Sequence, residues 1–63
     1  MSNLPMQPPF DTFRQERDGR LVWIGSATSL TETEQLIAEA MKDMSSNYLI
    51  VSVGTGAREV IFP

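Results

Sequence analysis

Sixty-three residues without a cysteine or a histidine make one small domain that has neither disulfides nor the preferred ligands of a structural zinc site. A chain this short buries only about 60% of the surface it exposes when unfolded, so its stability must come from close packing or from association with a second chain. The net charge of −3 arises in one segment, where Glu32, Glu34, Glu39 and Asp43 are opposed only by Lys42, and that acidic face disfavours a nucleic-acid partner.

In chain order, residues 1–9 contain Pro5, Pro8 and Pro9 and read as a flexible leader to a single domain over residues 10–63. The leader lacks the basic and apolar regions of a secretory signal. The apolar run from Tyr48 to Val51 falls far short of the roughly 20 residues that cross a bilayer. These features predict a cytoplasmic protein without a membrane partner.

An Asp18-Gly19 pair lies between two β-prone runs, residues 10–16 and 21–27, and such a pair is the strongest short-range signal of a β-hairpin. The first arm is the weaker strand, because only Phe10, Thr12 and Phe13 favour β structure. From Ser26 to Thr31 the apolar period changes from two to 3.6, and two capping boxes overlap: Ser29 with Glu32, and Thr31 with Glu34. Leu36, Ile37, Ala40, Met41 and Met44 then recur at helical spacing, with charged residues on the other side. The helix is expected to end near Ser45-Ser46-Asn47, with Asn47 as a left-handed terminal residue.

Residues 48–53 form a strand rich in β-branched side chains, Gly54 to Ala57 a turn in which Gly56 takes a positive φ, and residues 58–62 the returning partner strand. The chain therefore reads as an α+β fold of ββαββ type. Two β-hairpins flank one amphipathic helix, giving a four-stranded, largely antiparallel sheet with the helix on one face. The order of the two hairpins in the sheet is left open.

Alternation along the strands makes both faces of that sheet apolar. Val22 and Ile24 oppose Leu21 and Trp23; Tyr48 and Ile50 oppose Leu49, Val51 and Val53; Ile61 opposes Val60 and Phe62. One helix covers one face only. Either the sheet curls enough to hide the second face, or that face is an interface, most simply with a second copy across a twofold axis. The candidate interface residues are Phe13, Trp23, Leu49, Val51 and Ile61. For Trp23 the default role is core packing, and on an uncovered face it becomes an interface anchor.

Other motifs reduce to ordinary structure. Gly54-Thr55-Gly56 has the glycines of a phosphate loop but no following helix to hold the anion, which favours a hairpin turn. Arg14, Arg17, Arg20 and Arg58 are balanced by Asp11, Glu16, Asp18 and Glu59, unlike the footprint of an RNA-binding sheet. A cysteine nucleophile and a histidine base are missing, and the carboxylates cluster on a solvated helix face, so no catalytic, cofactor-binding or metal-binding residue is assigned and the chain reads as non-enzymatic. The leading expectation is a protein-interaction or self-assembly module, a homo-oligomer with a dimer favoured, and an unidentified protein partner as a further possibility. One alternative is a small acidic regulator or inhibitor that presents its helix to a basic partner. Another is a small-ligand-binding module with a methionine-lined pocket between helix and sheet.

Overall fold

A computed structural model describes residues 5–63. It contains β1 (Phe10–Gln15), β2 (Leu21–Ala27), α1 (Leu30–Asp43), β3 (Tyr48–Ser52) and β4 (Arg58–Ile61). The four strands form one open sheet in the order β2-β1-β3-β4, antiparallel at every step. This is the α+β, ββαββ arrangement expected from the sequence, and the contact between the hairpins is made by β1 with β3. Both neighbours of β1 run antiparallel to it, so β2 and β3 are parallel to each other. The helix that joins them has to cross β1, and it does so on one face.

The first turn shows why Asp18-Gly19 works. Gly19 has φ +89 and donates its N–H to the Glu16 carbonyl at 3.0 Å, while Glu16 N–H donates to the Arg20 carbonyl at 2.8 Å. The left-handed glycine closes the turn without the steric cost any other residue would meet there. Asp18 reinforces it by accepting from Arg20 N at 3.0 Å. In the pairing of β1 with β2, Thr12 faces Gly25 and Phe13 faces Trp23, which leaves Ile24 as an extra residue in a β-bulge. The bulge turns two consecutive residues toward the helix. Ile24 packs on the core, and Gly25 lies so near α1 that a Cβ there would stand 2.8 Å from Leu36 Cδ2.

Of the two capping boxes, the chain uses Ser29 with Glu32. Ser29 Oγ accepts from Glu32 N at 3.1 Å, and the Glu32 carboxylate accepts from Thr28 N at 3.4 Å and Thr28 Oγ1 at 3.3 Å. Side-chain acceptors thus satisfy donors at the helix start that have no intrahelical partner.

The other end departs from expectation. The helix stops at Asp43 with Met44 extended (φ −148, ψ 117), and among the described residues only Gly19 and Gly56 have positive φ, so Asn47 is not a left-handed terminus. Its role is tertiary: Asn47 O accepts from Gln15 N at 2.9 Å, and the Met44 carbonyl accepts from Tyr48 Oη at 2.9 Å. The exit carbonyls are satisfied by other elements, which removes the need for a left-handed cap.

The core lies between α1 and the sheet and centres on Phe10, Ile37, Tyr48 and Ile50. Of the leader, residues 1–4 lie outside the described residues. Pro5 to Pro9 run along the β3–β4 turn. There Ser52, fully buried, donates its hydroxyl to the Gln7 carbonyl at 2.6 Å and accepts from Gln7 N at 3.3 Å. Thr55 Oγ1 has one proton and two acceptors in reach, the Pro5 carbonyl at 2.7 Å and Ser52 Oγ at 2.9 Å. Gly56, at φ +78, completes that turn.

Candidate interaction face

The register identifies the residues that share the face turned away from the helix, because directly paired residues of neighbouring strands point to the same side. Trp23 pairs with Phe13, Phe13 with Leu49, and Leu49 with Val60. These four form one apolar row that crosses every strand of the sheet, about 14 Å from β2 to β4 at the usual strand spacing. The next row, one pleat along, is mixed: Ser26 pairs with Asp11, Asp11 with Val51, and Val51 with Arg58. Leu21, paired with Gln15, extends the apolar surface at the β2 end.

Nothing in the chain covers this face among the described residues. Trp23 is 58% exposed, Leu21 49% and Val60 47%, while Phe13, Leu49 and Val51 are half-buried by their neighbours in the sheet. The core position expected by default for Trp23 is therefore not where the structure places it: the indole lies on the edge strand, with Nε1 donating to Asp11 Oδ1 at 3.3 Å. The bulge at Ile24 supplies the reason, since it gives the helix side of β2 to Ile24 and Gly25 and leaves Trp23 on the other.

Of the predicted residues, Phe13, Trp23, Leu49 and Val51 are brought together here and Ile61 is not. Ile61 pairs with Tyr48 and packs against the core on the helix side. The residue that completes the row in β4 is Val60, and the period of two would have found it once the pairing with Leu49 was known. Phe62 lies past the end of β4, where alternation no longer binds it, and it borders a groove on the helix side instead.

That groove is where a pocket between helix and sheet falls. The helix packs chiefly over β1 and β2, so the helix side of β4 is left partly open, with a volume of about 520 Å³ lined by Leu30, Ile37, Met41, Ile50, Ile61 and Phe62 and bordered by Glu34 and Glu59. On the acidic helix surface, Glu32 is engaged in the cap and Glu39 accepts from Lys42 Nζ at 3.1 Å. Arg14 Nη2 donates to Glu16 at 3.0 Å. The hydrogen bond and charge of Glu16 raise the guanidinium pKa further, so Arg14 is a permanent cation. Among the described residues no three acidic side chains gather in a metal-binding group, and no helix is long and apolar enough to cross a membrane.

Compared with protein-family models, curated proteins and solved structures, the chain has no significant match.

Proposed function

We propose that this protein is a non-enzymatic self-assembly module that pairs with a second copy of itself through the helix-free face of its sheet. The observation that carries the reading is the row Trp23, Phe13, Leu49 and Val60, continuous across four strands and open to water. Contiguous apolar surface of this kind is characteristic of interaction sites on soluble proteins, and a domain this small gains the support that its own core supplies only in part. Burying the second face against a copy makes a two-sheet sandwich with a helix on each outer side.

Sedimentation equilibrium at micromolar concentration is expected to return a dimer, and a clean monomer mass overturns the proposal. Leu49→Asp, on the bare face of a central strand, is expected to give a folded monomer with an unchanged circular dichroism spectrum.

A second reading, a ligand-binding module, is favoured by the open apolar groove between α1 and β4. Its carboxylate border suits an alkyl chain with a cationic head. Titration with a linear alkylamine, followed by the methyl resonances of Met41 and Ile61, is expected to show saturable shifts, and unmoved resonances dismiss it.

A further inference from the structure

The mixed row of the bare face carries more information than the apolar one. Asp11 in β1 and Arg58 in β4 sit at the same height along the strands, one on each side of Val51 in β3. They carry opposite charges, point to the same face and stand about 10 Å apart at two strand spacings. The ion pairs among the described residues are Arg14 with Glu16, Arg20 with Asp18, and Lys42 with Glu39, so neither Asp11 nor Arg58 is in one.

Resting on the self-assembly reading, we infer that the dimer has its twofold axis parallel to β3 and directly over it, so that Asp11 of each copy meets the partner's Arg58. The reasoning is geometric. A twofold axis along the strands keeps every residue at its own height and exchanges lateral positions about the axis. β3 lies midway between β1 and β4, so an axis over β3 places β1 on the partner's β4 and β3 on the partner's β3. In the mixed row Asp11 then faces the partner's Arg58 twice over, with Val51 on the partner's Val51 between the two pairs. In the apolar row Leu49 meets the partner's Leu49 and Phe13 the partner's Val60.

Other axes lose this match. Between β1 and β3, an axis along the strands would put Asp11 over the partner's Val51 and Arg58 over the partner's Ser26. An axis across the strands at this height would set Asp11 on the partner's Asp11 and Arg58 on the partner's Arg58, and like charges in register oppose association. The occupant of the face is thus a second copy by charge complementarity, because the surface presents the acid and the base that its own duplicate needs.

The test is a charge exchange. Asp11→Arg and Arg58→Asp are each made in the full chain, and the dimer dissociation constant is measured by sedimentation for each variant and for their equimolar mixture. Each variant alone faces like charges twice and is expected to dimerise at least about tenfold more weakly than the parent protein. In the mixture every contact is again between opposite charges, so a heterodimer is expected with an affinity within about threefold of the parent. Circular dichroism of each variant checks that both are folded, and the mixture works as a rescue that a merely unfolded variant could not give.

If the parent dimerises and Leu49→Asp abolishes the dimer, but the mixture is no tighter than either variant alone, the twofold register is wrong while the self-assembly reading stands. If the parent is a monomer, both fall.

Discussion

The two faces of this sheet are built from alternate residues of the same strands, and they have opposite fates. The helix side holds Phe10, Thr12, Tyr48, Ile50 and Ser52, all buried. The bare side holds Phe13, Leu49 and Val60 in equally apolar positions with none of the described residues over them. Hydropathy does not separate the two sets, since Tyr48 and Ile50 are no greasier than Leu49 and Val51. Connectivity does: α1 has to pass from β2 to β3 across β1, it can pass on one side only, and the bulge at Ile24 directs β2 toward that side.

Substitutions that pit one face against the other sharpen the contrast. The largest effect is expected from Ile50→Ala, which empties a core position 2% exposed. It should cost about 2–5 kcal/mol in urea unfolding, enough to unfold most of a domain this small. Its neighbour in sequence, Leu49→Ala, should leave the stability of the dilute monomer within about 1 kcal/mol and act on dimerisation instead. Comparable losses from both would mean that the faces are not distinct.

Next comes Gly25→Val, whose branched side chain has to displace Leu36 where even a Cβ stands 2.8 Å from it. Overpacking of this kind is expected to lower the unfolding midpoint by an amount worth about 1–3 kcal/mol. An unchanged midpoint would show that the helix does not press on β2. Ser29→Ala removes the side chain that accepts from Glu32 N and is expected to cost about 1 kcal/mol, visible as faster hydrogen exchange in the first helical turn.

The smallest effect has the opposite sign. Thr12 is fully buried, and its Oγ1 has no hydrogen-bond partner among the described residues. Thr12→Val keeps the shape and removes a desolvated hydroxyl, so thermal melting should show the protein unchanged or stabilised by up to about 1 kcal/mol.

Much of the fold was legible in the residues because its signals are local. Asp18-Gly19 announced the first hairpin, Gly54 to Ala57 the second, and the overlapping Ser29–Glu32 and Thr31–Glu34 capping boxes the helix start, the choice between the two boxes being made by the structure. Leu21–Ala27 emerged as a strand with the limits its composition suggested. The site was legible in part. Phe13, Leu49 and Val51 share a face because β1 and β3 alternate without interruption, and Trp23 joins them through the bulge at Ile24, whereas Ile61 falls on the helix side because its placement depends on Leu49 pairing with Val60. The extra residue at Ile24 was hidden for the same reason, since a bulge is defined by the partner strand as much as by its own sequence.

The least obvious outcome concerns β1. By propensity it is the weaker arm of its hairpin, with Asp11, Arg14 and Gln15 among its residues, yet it is an interior strand paired on both edges. Burial of Phe10 and Thr12 and two ladders of backbone hydrogen bonds outweigh its modest preference for extended structure.

The sequence by itself determined the elements, their order and the presence of two apolar sheet faces, because turns, caps and periodicity act between residues a few positions apart. Only the tertiary structure decided which hairpin edges meet, which face the helix covers, and that Asp11 and Arg58 stand on either side of Val51. Those depend on the pairing of segments far apart in the chain, which no local pattern encodes.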